Sequence, residues 1–378
     1  MAKQNQRLIP QPGSELTLTN RAESFTLETL SSNNFYWAKS LAVTSNGVVA
    51  TTDYIQVSWP NTPITTSKPI IEVFDHSPLW LRLHQPQLDK YGLFIELDVK
   101  GVILKLRYVP KGSFLMGSPE DEAERLGNET QHAVTLTQGF WLGETTVTQQ
   151  LWQVVMGYNP CQFKADYNQL LPVESVSWDD CQKFCERFNN LLSGFELMLP
   201  TEAQWEYACR TGTQTPFSTG QQLTATQANY HGHYPYNNGA KGEWRETTVT
   251  VDKLQLNSWG LIQMHGNVWE WCHDSMRDYN EQAEVNPVGG AGQPKRVVRG
   301  GSWINFARYC RSAFRYNYAR DDAIGNIGLR VTQIEPAGGG AVAADPIRSG
   351  AKTGKGKVIG DKNESWLQML TKKIKGKK

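Results

Sequence analysis

Six cysteines and seven histidines are the side chains of this 378-residue chain best able to act as nucleophiles, redox centres or metal ligands. The cysteines are Cys161, Cys181, Cys185, Cys209, Cys272 and Cys310, and none forms a Cys-x-x-Cys pair. Cys181 and Cys185 stand four apart, which suits either a thiol or metal pair or two thiols packed in a core. Cys310 is flanked by Arg308, Tyr309 and Arg311, which could lower a thiol pKa but supply no base; a packing cysteine is the other reading. His231 and His233 make a His-x-His pair with no third ligand beside it, while His76, His84, His132, His265 and His273 are scattered. Residues 304–326 hold a denser mixture, with four arginines, three tyrosines and three asparagines. That mixture is the chemistry of a contact surface, because Tyr gives a large rigid contact while Asn, Asp and Gly adapt to a ligand.

These residues need elements to hold them. Residues 176–191 place Cys181, Phe184, Cys185 and Phe188 at helical spacing, with Ser177 as cap and Asp180 three residues on. A second helix is expected from Pro200 to Tyr207, with Thr201 capping and Gln204 in the capping-box position. Residues 212–280 are rich in Gly, Asn, Thr and aromatics without periodicity, so loops stitched by buried Trp and Tyr are expected there. Before residue 105 the texture is short alternating runs at Glu15, Ser24, Tyr54, Pro69 and Leu79, separated by turn residues. They predict a small β-sandwich-like module or a set of appended strands over 1–104, with no cluster suggesting catalysis. After Ile334 a Gly- and Ala-rich linker leads to a short amphipathic tail with Trp366, Met369, Leu370 and Ile374 on one face. The expected organisation is 1–104, 105–334 and 335–378, with an α+β class for the middle unit.

Composition narrows the function. The net charge of +1 gives no general case for nucleic acid, although 345–378 carries ten basic residues against three acids, or +7. That tail and the N-terminal module could dock on a partner assembly. No apolar run approaches the roughly 18 residues of a membrane span, and no apolar stretch follows the basic N-terminus. A cytoplasmic protein with reduced thiols is the expectation.

Five segments, in order, resemble the sulfatase-modifying-factor or formylglycine-generating enzyme family. They are Val109-Pro-Lys-Gly-Ser-Phe-Leu-Met-Gly-Ser; Gln131-His-Ala-Val-Thr-Leu-Thr-Gln-Gly-Phe-Trp with Glu144-Thr-Thr-Val-Thr; Leu199-Pro-Thr-Glu-Ala-Gln-Trp-Glu-Tyr-Ala; Trp259-Gly-Leu-Ile-Gln-Met-His-Gly-Asn-Val-Trp-Glu-Trp-Cys; and Val298-Arg-Gly-Gly-Ser-Trp with Ile327-Gly-Leu-Arg-Val. The resemblance implies a modified C-type-lectin fold with few regular elements and a ligand groove near the last motif. It also implies a choice, because the family includes copper oxidases, non-haem iron enzymes and proteins without catalysis.

The oxidase branch holds Cu(I) on two thiolates, and those positions correspond here to Asn305 and Cys310, with Phe306 where that branch has histidine. One thiol is missing, which argues against the copper site; the iron branch needs a histidine triad that this sequence does not offer. By the same resemblance, Asn229, Gly266, Val268 and Glu270 correspond to structural calcium ligands, with Gln263 where the family often has Asn. The other reading of Glu270 is a carboxylate paired with a buried donor or an arginine.

Residues 304–326 also resemble the variable segment of proteins diversified by retroelements. Adenine randomisation of AAY codons yields Ile, Asn, Phe, Ala, Tyr, Asp and Gly but not Lys, Glu, Gln, Met or Trp. None of those last five occurs in 304–326. The pattern implies a framework of Arg308, Cys310, Arg311, Ser312, Ala313, Arg315, Arg320 and Asp321. It implies variable, ligand-binding positions at Ile304, Asn305, Phe306, Tyr309, Tyr316, Asn317, Tyr318, Asp322, Ala323, Ile324, Gly325 and Asn326. The expected function is non-catalytic recognition of a protein or other macromolecule, the alternative a formylglycine-generating or iron-dependent oxidoreductase. Tyr309, Phe314 and Tyr316 could instead be core aromatics.

Overall fold

The computed structural model describes residues 86–164, 170–192, 194–290 and 293–334 in full, together with the backbone of five earlier strands. The run at Leu79, the histidines His76 and His84, and the linker and tail of 335–378 lie outside the described residues.

The five early strands are β1 (Glu15–Thr17), β2 (Glu23–Leu30), β3 (Phe35–Thr44), β4 (Gly47–Ser58) and β5 (Ile70–Val73). They pair antiparallel in sequence order. Among the described strands this is one meandering sheet, nearer to the appended strands than to the sandwich of the two expected arrangements. A period of two fixes strands and faces, but it does not say whether a second sheet covers them.

The next strands are β6 (Gln87–Asp89), β7 (Gly92–Val99), β8 (Val102–Val109), β9 (Gly112–Met116), β10 (His132–Leu136) and β11 (Phe140–Gly143). A boundary at 104/105 would cut β8, so the expected division is corrected. β6 and β7 belong to the later unit, in a six-stranded sheet ordered β12-β18-β11-β8-β7-β6, where β12 is Leu197–Met198 and β18 is Thr332–Ile334. The reason is visible in β7: Leu93, Ile95, Leu97 and Val99 are buried while Glu96 and Asp98 are exposed, so one face needs a core.

Two of the three described helices cover that core, and the third packs in a neighbouring one with Met116, Val134 and Trp259. Helix α1 (Gln149–Met156) is capped by Thr148 and stopped by Gly157 in the left-handed region. Helix α2 (Trp178–Leu191) carries the expected capping box of Ser177 and Asp180, and buries Cys181, Phe184, Cys185 and Phe188. Helix α3 (Glu202–Arg210) carries the second box, Thr201 with Gln204. Trp152 of α1 stacks on Phe184 of α2, with centroids 5.2 Å apart and planes 5° from parallel. All six cysteines are free and buried, and burial pushes the Cys185 thiol up to about 12. Cys181 and Cys185 are therefore packing thiols of α2.

A second, four-stranded sheet is ordered β16-β15-β13-β17, from β13 (Trp269–Ser275), β15 (Lys295–Arg299), β16 (Tyr316–Ala319) and β17 (Ile327–Gly328). A small sheet joins β9 and β10 to β14 (Glu284–Val285). Residues 304–326 thus begin after β15, pass through a 3-10 turn (Ala307–Cys310), form β16 and end at β17.

Candidate functional site

Residues 304–326 are fastened from below by buried arginines. Gly300 and Gly301 let the chain leave β15 with positive φ, and a Cβ on Gly301 would lie 2.5 Å from the Cys310 sulfur. Arg311 then reaches back to residues 122–129. Its Nη1 donates to Glu122 at 2.5 Å and to Glu129 at 2.7 Å, and its Nη2 donates to the other Glu129 oxygen at 2.7 Å. Arg315 forms a fork with Glu202 at the start of α3, at 2.8 and 2.6 Å, and lies 3.5 Å over the Tyr279 ring. Arg299 of β15 pairs with Glu206 and donates to the carbonyls of Ser312 and Ala313, at 2.7 and 3.1 Å. Burial opposes the charge on Glu202, yet Arg315 and Arg299 hold its carboxyl below the usual range.

The twelve expected variable positions do not all face outward. Ile304, Asn305, Tyr309, Tyr318, Ile324, Gly325 and Asn326 are buried; Phe306, Tyr316, Asn317 and Asp322 are half-buried, and Ala323 is exposed. A twelve-residue surface is therefore corrected to one centred on the last five. Tyr309 packs edge-on against Phe314, with centroids 4.9 Å apart, and Tyr318 meets Trp271. Asn305 accepts a hydrogen bond from the Ser302 hydroxyl through its side chain, and from the His231 N–H, at 2.8 Å, through its backbone. Trp303 donates to the Gly325 carbonyl at 3.0 Å. Gln162 closes over Gly325, where a Cβ would lie 2.2 Å from its side-chain oxygen. These are packing and hydrogen-bonding roles that residue type alone does not distinguish from surface roles.

Cys310 is sealed among these groups, and burial pushes its thiol well above the usual range. Its arginine neighbours do not reach it: Arg308 lies over the Tyr309 and Phe306 rings, and Arg311 is held by its glutamates. Of the two readings of Cys310, the packing cysteine stands, and it is fully buried. With Asn305 in place of a second thiol, the donor set does not fit linear Cu(I), and no step is derived through copper. The neighbouring His265 is also buried and neutral. Its Nδ1 donates to the Cys310 carbonyl at 2.7 Å and its Nε2 accepts from the Ser218 N–H at 3.0 Å. Burial lowers its pKa to about 4. Cys209 lies 3.7 Å from Nε2, its thiol pushed up by burial to about 12.

Glu270 is the arginine-paired carboxylate of the two readings. Arg330 donates to both its oxygens, at 2.9 and 2.8 Å, and Trp205 donates to it at 2.7 Å. A guanidinium in that position opposes a second cation, so the four residues do not fit a single calcium centre. Asn229 and Gly266 are joined by an isolated bridge, and Val268 is buried beside them. Asn229 donates its side-chain amide to the Thr247 carbonyl and to Asn267, at 2.9 and 3.0 Å, while its own Oδ1 is buried without a partner among the described residues. Gln263 turns its amide to the Thr250 and Lys253 carbonyls, and its oxygen accepts from Asn267 at 2.6 Å.

One neighbour of the segment was not legible as part of it. Residues 231–245 run beside 305–307, zipped by His231 N–H to the Asn305 carbonyl and Ala307 N–H to the Tyr234 carbonyl, at 2.8 and 3.1 Å. Tyr234 stacks on Phe306 with centroids 3.9 Å apart, and His231 stacks on Trp244 at 3.8 Å. Burial and the nearby His233 lower the pKa of His231. No group of three His, Cys, Asp or Glu side chains suited to a metal occurs among the described residues. The His-x-His pair belongs to an aromatic cluster.

Known proteins were compared with this geometry. The family model described as sulfatase-modifying factor enzyme 1-like domain matches residues 102–334. The formylglycine-generating enzyme of Bos taurus is 34% identical over 168 residues, covering 42% of this chain and 43% of its own length. The inactive C-alpha-formylglycine-generating enzyme 2 of Mus musculus is 29% identical over 167 residues, covering 42% and 48%. The chain thus spans less than half the length of these two curated relatives. Among solved structures, Treponema denticola variable protein 1 superposes with a TM-score of 0.56 at 25% identity, over 64% of this chain and 98% of that one. The α+β architecture is thus the modified C-type-lectin fold expected from the five motifs, and the chain belongs to the sulfatase-modifying factor enzyme 1-like family.

Proposed function

We propose that this protein is a non-catalytic ligand-binding protein, in which 304–326 is a recognition segment diversified by a retroelement. One observation carries the reading: within this segment, Phe306, Tyr316, Asn317, Asp322 and Ala323 reach the surface, while Arg311 and Arg315 anchor it through buried ion pairs. A scaffold fixed from below lets surface residues change without unfolding the protein. The likeness to a Treponema variable protein and the absence of arginine activation at Cys310 point the same way. The ligand is a protein or other macromolecule. We place the protein in the cytoplasm, with the N-terminal sheet and basic tail as contacts to a partner assembly. No helix among the described residues is long and apolar enough to cross a membrane.

The test is genetic. DNA flanking the gene is expected to hold a near-copy of codons 304–326 that differs at adenines, and a reverse transcriptase gene. Finding neither removes the diversification reading. The oxidoreductase alternative has its own assay: anaerobic protein loaded with Cu(I) or Fe(II), given a cysteine peptide, and followed for oxygen uptake. Stoichiometric metal with turnover would restore catalysis. Loss of co-purifying proteins on deleting 337–378 is the expected result for the tail.

A further inference from the structure

The loop that abuts Phe306 has the properties of a contact surface in its own right. Tyr234 is 48% exposed and His233 is exposed, although both rings lie in an aromatic cluster. The loop is held rigidly. Gly242 N–H donates to the Gly232 carbonyl at 2.8 Å, and a Cβ on Gly232 would lie 2.1 Å from the Glu243 oxygen, so the two ends close tightly. The Tyr236 hydroxyl donates to the Ala123 carbonyl at 2.6 Å, and Asn237 N–H donates to Glu124 at 2.7 Å. A loop tied at its base and along its side loses little freedom on binding.

We infer that His233, Tyr234 and Trp244 form the constant half of the recognition surface, and that the partner they fit is the surface of a folded protein. This inference rests on the proposed function. Tyr234 stacks on Phe306, and Arg308 lies over the same ring at 5.9 Å, so the constant loop continues directly into the changeable segment. Tyr, Trp and Arg on a preorganised support are the side chains that dominate binding energy at protein interfaces. The constant half supplies general affinity, and positions 306, 316, 317, 322 and 323 supply the choice of partner.

The experiment displays the full chain on yeast, with AAY-type randomisation at those five positions, and selects clones on hen lysozyme. Tyr234→Ala is then placed in independent clones. Separately, His233→Cys is placed in them and capped with a bulky maleimide; the six native thiols are buried, so the label is selective. Both changes are expected to weaken most clones by on the order of tenfold, with the thermal midpoint unchanged. Tyr234→Phe, which keeps the exposed aromatic ring, is expected to retain affinity. Clones that hold their affinity within about twofold after both changes overturn the inference while leaving the changeable segment as the binding site. A library that displays folded protein but yields no binders overturns the underlying reading and the inference with it.

Discussion

Arg311 and Asn317 lie in the same short segment yet meet opposite surroundings. Arg311 is sealed between Glu122 and Glu129, whereas Asn317 stands half-buried on β16 with Ala323 exposed beyond it. The inner side chains define where the backbone runs; the outer ones only ride on it. A protein that must vary its surface needs this separation, because a buried charge left without its partner costs several kcal/mol while an exposed side chain costs little.

The largest effect is expected at the inner side. Arg311→Ala leaves two buried carboxylates unpaired and is expected to cost about 3–5 kcal/mol in urea unfolding. A loss below about 1 kcal/mol would mean that the anchor is dispensable. Next comes His265, which is neutral in the fold with its pKa lowered from 6.5 to about 4 by burial. Its contribution is present above pH 6.5 and lost as pH falls through 4, since the unfolded chain takes up the proton first. At about 1.4 kcal/mol per pH unit this amounts to about 3 kcal/mol. Unfolding measured from pH 7 to 4 should therefore show a shallower slope in His265→Gln than in the parent; equal slopes would contradict the buried-neutral assignment.

A milder contrast uses the same kind of ion pair placed in water. Arg320 forks onto Asp179 at the surface, where both side chains are at least a third exposed. Arg320→Ala should cost about 0.2–1 kcal/mol by the same measurement, well below Arg311→Ala. Smallest are Asn317→Ser and Ala323→Ser, expected to move stability by no more than about 0.5 kcal/mol in thermal scans. A larger loss at either position would place it with the anchors and shrink the proposed changeable surface further.

Much of the scaffold was legible because its signals are local. The capping boxes at Ser177 and Thr201 are read within four residues, and both helices form as their spacing predicts. The outward or inward direction of Tyr309, Tyr318 and Ile324 was not legible, because it depends on Phe314, Trp271 and the core formed by other segments. The boundary before β6 was missed for a related reason: β6 and β7 look like the earlier runs, and only the pairing of β6 with β7 and of β7 with β8 assigns them.

The sequence by itself determined the family, the missing thiol at Asn305, the helix starts and the chemistry available in 304–326. Tertiary structure decided which of those side chains reach the surface. It matched Arg311 with glutamates more than 180 residues away, gave Glu270 to Arg330 instead of to a cation, and brought Tyr234 under Phe306. The physical reason is that motif and period are short-range properties of the chain, whereas burial, ion pairing and stacking depend on partners distant in sequence.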